Sequence, residues 1–352
     1  MMLGLPTWSV FAGVFVVAFA VTWALVPVTI RLSRRLGTVD VAGGRRRHQG
    51  AIPRLGGLAI FGGFMVATLL TLPYPRPPAD TFRLVGLLLA CTAVTVGGFF
   101  DDRLQFSALP QIAVALVASG IAIRYWVFIE RVNNPLTNQQ VVFPMPLVIL
   151  FTLLWMAGMT TTINWLDGLD GLATAVSAIA VLVFFIHMLR TGQQSVALLP
   201  AALLGATLGF LPHNWSPAKV FLGSAGAYFL GFAVGGLSLI GGARAATALL
   251  VLGIPILDVA WQILDRLRHG RSPVEGDRGH LHFRLADQGI PQARIVLLYC
   301  TISAVLGGLA LLLPSRLYKL FALLIMGGVG GLALAHLARA GDRSQRDSDD
   351  LS

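Results

Sequence analysis

Four polar clusters interrupt an otherwise apolar chain, and each is built from residue types that handle phosphate or metal. The segment Asn164-Trp165-Leu166-Asp167-Gly168-Leu169-Asp170-Gly171-Leu172-Ala173 sets an amide and two carboxylates between the apolar runs 146–163 and 172–189. Carboxylates at a bilayer edge are costly unless a cation, a donor or water offsets them, which makes a functional reading the default. Oxygen ligands from Asn164, Asp167 and Asp170 suit Mg²⁺, which keeps waters and bridges a substrate's phosphates. If the segment is helical, the i, i+3 spacing puts Asp167 and Asp170 on one face. The plainer competitor is a tight polar turn, Asp-Gly being a common turn pair.

Asp101-Asp102 closes the apolar run 94–100, with Gly97-Gly98 just before it to permit a close approach. Adjacent carboxylates repel, and acids at a helix C-terminus oppose the macrodipole, so the pair calls for a cation or a reaction. The third cluster is basic: Arg45-Arg46-Arg47-His48, then Ile52-Pro53-Arg54-Leu55-Gly56-Gly57. An anchor on anionic lipid competes there with substrate binding. The fourth, Asp277-Arg278-Gly279-His280-Leu281-His282-Phe283-Arg284, offers a diphosphate-binding surface, with arginine giving planar bidentate contacts. Its two histidines lack a third or fourth ligand at zinc spacing.

These clusters must be positioned by membrane helices. Of 352 residues, 56% are hydrophobic and only 12% charged, with a mean hydropathy of +0.76, which excludes an ordinary soluble domain. Apolar runs of roughly 17 to 25 residues cross a bilayer as helices. Eleven segments near that length predict an all-α polytopic bundle: 8–30, 55–73, 83–100, 109–123, 146–163, 172–189, 195–212, 220–240, 245–262, 295–313 and 318–338. The first is read as a retained span rather than a cleaved signal. Residues 1–340 form one domain and 341–352 read as a disordered tail. Residues 124–144 form the long loop on the other side, with a small hairpin expected around Asn133-Asn134-Pro135.

Alternate connections hold eighteen of the 26 Lys and Arg, which places that set in the cytoplasm, the N-terminus outside and the C-terminus inside. The same parity brings all four polar clusters to the cytoplasmic face around one cleft. The net charge of +10 is interleaved with spans, so anionic lipid and phosphorylated substrates are the expected partners rather than nucleic acid. Cys91 and Cys300 lie inside spans and match no metal-ligand spacing.

In this order the clusters resemble the polyprenyl-phosphate N-acetylhexosamine-1-phosphate transferases, glycosyl transferase family 4. The likeness runs from about Leu36 to Leu285: Asp40 through Gly57 is similar to the family's first-loop pattern. Asp101-Asp102 resembles its paired aspartates, Asn164 to Ala173 its Asn-x-x-Asp-Gly-x-Asp-Gly-Leu-Ala core, and Pro255, Asp258, Arg266 and Asp277 to Leu285 its last-loop pattern. The His-Leu-His form resembles the branch acting on UDP-N-acetylglucosamine-like substrates more than the muramyl-pentapeptide branch.

The resemblance implies transfer of an N-acetylhexosamine 1-phosphate from a UDP-sugar to polyprenyl phosphate with Mg²⁺, giving polyprenyl-diphospho-sugar and UMP as the first step of a cell-surface glycan. It implies a multi-pass protein of the inner (plasma) membrane, with a homodimer allowed. Asp101, Asp102, Asp167 and Asp170 would be catalytic, with Asp101 accepting the proton of the lipid phosphate or positioning it. Asn164 and Asp167 would hold the metal, and Arg45, His48, Arg54, Arg278, His280 and His282 would bind substrate.

Four positions depart from the family pattern. Ser224, in Phe221-Leu222-Gly223-Ser224-Ala225-Gly226-Ala227, stands where the family has a metal-binding aspartate; Gln111 stands for a lysine, Thr161 for an asparagine and Phe283 for a third histidine. The alternative implied by these changes is a catalytically impaired homologue that binds lipid phosphate, nucleotide or a partner. A transporter is a third class, set aside because the charges fall at span ends and no inverted repeat is evident.

Overall fold

The computed structural model describes residues 7–41, 51–137, 139–240, 245–272, 279–313 and 315–349. Arg45, His48 and Arg278 lie outside the described residues.

Apolar stretches become helices because only a helix satisfies every backbone group inside lipid. In chain order these are α1 (Thr7–Arg35), α2 (Gly57–Leu69), α3 (Pro78–Leu104), α4 (Ala108–Arg124), α5 (Met145–Leu166), α6 (Leu172–Arg190), α7 (Gln194–Asn214), α8 (Gly223–Leu239), α9 (Ala245–Val251), α10 (Gly253–Arg268), α11 (Leu281–Asp287), α12 (Gln292–Leu312) and α13 (Arg316–Asp349). Two short antiparallel pairs join them: β1 (Val39–Val41) with β2 (Ala51–Pro53), and β3 (Arg131–Asn133) with β4 (Gln140–Val142), the latter being the expected hairpin.

The chain is an all-α polytopic membrane protein. Among the described residues six helices (α1, α3, α5, α6, α7 and α12) are long and apolar enough to cross a bilayer; α2, α4 and α8 are apolar but shorter. The run 245–262, expected as one straight span, is instead two helices, α9 and α10, bent by 84°. Gly253 and Pro255 account for the break: proline supplies no N–H to the preceding turn and its ring clashes there. Beyond the break, Pro255, Asp258, Val259, Gln262 and Arg266 are buried at helical spacing, giving α10 one packed face. The last helix, α13, runs to Asp349.

Helix α8 is the hub. All but one of its residues are buried, as expected of a helix apolar on every side, and it packs on α2, α3, α5 and α6. Its small residues let neighbouring backbones come close. A β-carbon on Gly57 of α2 would sit 2.0 Å from Gly226 Cα, and one on Gly98 of α3 would sit 2.6 Å from both Ala225 Cα and Ser224 O. The glycines of the first-loop motif and of α3 therefore bring three backbones together at the start of α8.

Candidate active site

At that meeting point the paired aspartates are buried, Asp101 at 5% and Asp102 at 4% exposure, and they take unlike partners. Asp102 accepts the N–H groups of Ser224 (2.9 Å) and Ala225 (3.0 Å), while Arg54 Nη2 lies 3.7 Å from Oδ1. A carboxylate on the first turn of α8 complements the helix dipole and satisfies donors that have no partner within the helix. Gly223, the first residue of α8, has φ +71°, a left-handed conformation favouring glycine, and a β-carbon there would meet Arg54 O at 2.0 Å. Asp101 instead accepts the Tyr228 hydroxyl (2.8 Å) and the Phe106 N–H (2.8 Å), with Gln111 Nε2 at 3.4 Å from each oxygen.

Arg54 is fixed by its backbone. β2 follows β1 in register, the Arg54 N–H donates to Thr38 O and Ser33 Oγ, and the Phe221 N–H donates to Pro53 O (2.8 Å). The first loop and the start of α8 are thus tied to each other.

The core segment is not helical. α5 ends at Leu166, Gly171 takes φ +77°, and α6 begins at Leu172, so residues 167–171 form the polar turn that competed with the helical reading. Both carboxylates nevertheless face one cavity of about 1010 Å³, whose wall includes Asp40, Arg54, Asn164, Asp167, Asp170 and Ser224. Asp170 Oδ2 accepts the Ala218 N–H (3.0 Å), and its own N–H donates to Gln292 Oε1 (3.3 Å). Burial pushes the Asp167 carboxyl well above the usual carboxylate range; the charge of Asp102 adds to this, Arg54 opposes it, and Asp170 adds further.

A second, apolar groove of about 520 Å³ runs between α4, α5, α8, α9 and α10, with Leu154, Trp155, Ile256 and Ile263 on its wall. Gln111 and Tyr228, the partners of Asp101, line it, as does Thr161. Asn164 lines both spaces. Asp101 therefore serves the groove through its partners, and Asp102 backs the polar cavity through Ser224 and Arg54.

The last loop packs behind the core turn. A β-carbon on Gly168 would lie 2.5 Å from both His282 Nε2 and Phe283 Cζ, so glycine is required for this approach. His280 and His282 are buried, and Phe283 forms cavity wall. His280 Nδ1 is 2.8 Å from Asp258 Oδ2, whose other oxygen accepts the Leu281 N–H (2.9 Å), which ties the loop to α10. Trp165 lies between Arg266, 5.0 Å from its ring centroid, and the edge of His280.

Tyr228, Asn214, Phe221 and Gln292 carry the site without having been singled out as site residues in the sequence. Tyr228 alone left a signal, a phenol in a helix whose other polar side chains are the two small serines Ser224 and Ser238, since a buried tyrosine seeks a partner.

Among the described residues no group of three or more His, Cys, Asp or Glu side chains forms a metal cage. The donor set of Asp167, the remaining oxygen of Asp170, the Asn164 amide and the Ser224 hydroxyl fits a Mg²⁺ held by one or two carboxylates and completed by substrate phosphates.

A membrane-embedded helical bundle that opens a carboxylate- and arginine-lined cavity beside an apolar groove defines a membrane enzyme handling phosphorylated substrates. The comparisons specify the class. The glycosyl transferase family 4 model matches residues 84–242. The decaprenyl-phosphate N-acetylglucosaminephosphotransferase of Mycolicibacterium smegmatis is 32% identical over 309 residues, 80% of this chain and 75% of that protein. The probable undecaprenyl-phosphate N-acetylglucosaminyl 1-phosphate transferase of Bacillus subtilis is 29% identical over 328 residues, 88% of each chain. A phospho-N-acetylmuramoyl-pentapeptide-transferase of Symbiobacterium thermophilum is 30% identical over 295 residues, 78% of this chain and 87% of that protein. The chain belongs to glycosyl transferase family 4 and is a glycosyl-1-phosphate transferase of the membrane.

Proposed function

We propose that the chain transfers N-acetylhexosamine 1-phosphate, most simply N-acetylglucosamine 1-phosphate, from a UDP-sugar to polyprenyl phosphate at the cytoplasmic face of the inner membrane. One observation carries this reading: an apolar groove and a polar, charged cavity meet at Asn164, with one of two adjacent aspartates serving each. The groove suits an isoprenoid tail and the cavity a nucleoside diphosphate. The names of the relatives above carry a polyprenyl phosphate and an N-acetylglucosamine phosphate, which supports the same acceptor and the same transferred group.

In the reaction an oxygen of the lipid phosphate forms a new bond to the phosphorus that carries the sugar. The bond from that phosphorus to the bridging oxygen breaks, and UMP leaves with the bridging oxygen and its electron pair. Such transfer depends on positioning and charge neutralisation more than on covalent chemistry with the protein. Asp101, held by Tyr228 and the Phe106 N–H, orients the lipid phosphate and accepts its proton when it carries one. Asp102 holds the first turn of α8 and Arg54 in place, and the Arg54 guanidinium neutralises diphosphate charge. Asn164, Asp167 and Asp170 would hold Mg²⁺, which supplies further neutralisation of the phosphates when bound. His280 and His282 act from behind the core turn, fixing its shape. Phe283, in the wall, excludes water.

The test is UMP release by the purified chain with polyprenyl phosphate and a panel of UDP-N-acetylhexosamines, with Mg²⁺ or chelator, beside a Ser224→Asp variant. Metal-dependent release by the native chain is expected, and the sugar giving the highest rate names the donor. Silence from the native chain with activity in Ser224→Asp would refute turnover here and leave a binding protein.

A further inference from the structure

The carboxylates around the cavity are unequally committed. Both oxygens of Asp102 are taken by the Ser224 and Ala225 N–H groups in the first turn of α8, with Arg54 alongside. Asp101 is held by Tyr228 and Phe106, outside the cavity wall. One oxygen of Asp170 is tied to the Ala218 N–H, and Asp40 on the rim is itself engaged. Among the described residues no hydrogen bond reaches the side chain of Asp167. An empty cavity thus offers a dication one uncommitted carboxylate, part of a second, an amide and the Ser224 hydroxyl, with the Arg54 cation as a competitor. Mg²⁺ demands near-octahedral oxygen ligation and gives up its waters reluctantly, so a site with so little negative charge does not retain it alone.

We propose that the described residues form no resident metal site by themselves: the divalent cation enters as the counter-ion of the nucleotide, whose diphosphate completes its ligands, and Ser224 is the residue that imposes this dependence. The inference rests on the nucleotide reading of the cavity. Ser224 lies on the wall at the first turn of a 17-residue helix. A carboxylate there would raise the cavity's charge toward that of a self-sufficient site, and the helix N-terminus would tolerate it. The protein then senses metal and donor together, and a fall in free UDP-sugar empties the cavity of both.

The experiment is a titration of the full chain in detergent with Mn²⁺, followed by the loss of the free-ion electron paramagnetic resonance signal, without nucleotide and with saturating UDP. UDP binding to the chain is measured separately by calorimetry. The native chain is expected to immobilise Mn²⁺ at about one per chain only when UDP is present, beyond what UDP alone withholds. Ser224→Asp should bind Mn²⁺ without nucleotide at least about tenfold more tightly than the native chain, since ligand charge tunes such sites over orders of magnitude. Native protein that binds Mn²⁺ equally well with and without UDP overturns the inference and leaves the nucleotide reading standing. Failure of UDP to bind in any condition overturns the nucleotide reading and this inference with it. Should Ser224→Asp not fold, the two native titrations decide the question alone.

Discussion

Asp101 and Asp102 are neighbours in sequence, yet their replacement by asparagine should affect folding unequally, because their partners differ in kind. Every partner of Asp102 is a donor: the N–H groups of Ser224 and Ala225 and the guanidinium of Arg54. Asparagine can offer them one oxygen, and its NH₂ must face a donor. One bond to a charged acceptor, worth about 1.5–3 kcal/mol, is lost, and a buried donor goes unsatisfied at about 1–3 kcal/mol more. At Asp101 the Phe106 N–H keeps its oxygen, while the Tyr228 hydroxyl turns and accepts from the new NH₂. That exchange should cost about 1 kcal/mol or less. With about 2 °C of melting shift per kcal/mol for larger chains, Asp102→Asn should lower the midpoint by at least about 5 °C and Asp101→Asn by at most about 2 °C. Thermal unfolding in detergent, read by intrinsic fluorescence beside UMP release from the same preparations, checks both. Turnover should fall in both variants, but only Asp102→Asn should melt early. If Asp101→Asn melts as early as Asp102→Asn, or if Asp102→Asn melts with the native chain, the division into a reacting and a supporting aspartate is wrong.

Two further outcomes probe the same meeting point. Gly98→Ala puts a β-carbon 2.6 Å from Ala225 Cα and Ser224 O, both backbone atoms that cannot swing aside. It should destabilise by about 1–3 kcal/mol and lower turnover as the start of α8 shifts; a native melting curve would show that the backbones have room. Tyr228→Phe keeps the ring and removes the 2.8 Å bond to Asp101. A bond to a charged group at about 1.5–3 kcal/mol predicts a loss of about 10- to 150-fold in kcat/KM for polyprenyl phosphate, with the KM for the UDP-sugar unmoved. A changed UDP-sugar KM would place Asp101 with the nucleotide instead.

What was legible in the sequence is what repeats or what costs energy to hide. Apolar length gave the helices, and the expense of carboxylates beside lipid gave Asp101, Asp102, Asp167 and Asp170. The walls of the cavity were harder to read. Asn214 and Gln292 are polar residues at helix ends, with no period or spacing to mark them, and they reach the core turn only because α6, α7 and α12 pack together. The break before α10 was written in Gly253 and Pro255, yet mean hydropathy over 245–262 is blind to direction, so a bent pair reads like a straight span. His280 and His282 were legible as chemistry but not as packing. Their chemistry suggested direct contact with diphosphate, whereas Asp258, 22 residues earlier in the chain, draws His280 inward and Gly168 lets His282 close behind the turn.

On the proposed function, two substrates of opposite solubility impose a problem of access. An isoprenoid tail must stay in the bilayer while a nucleoside diphosphate stays in water, and a displacement at phosphorus needs the attacking and leaving oxygens on opposite sides of one atom. A single pocket would have to be both greasy and charged. The fold avoids this by ending two spaces on either side of one short stretch, Asn164 on α5 and Asp101-Asp102 on α3. α8 is the element that makes the stretch short: its Gly and Ala residues let α2 and α3 approach to backbone contact, and its first turn takes up the charge of Asp102. The adjacent aspartates are then not redundant. On a helix, consecutive residues point about 100° apart, so one carboxylate can face the groove while the other braces the cavity. One residue inserted between them would turn one of the two carboxylates onto the wrong side.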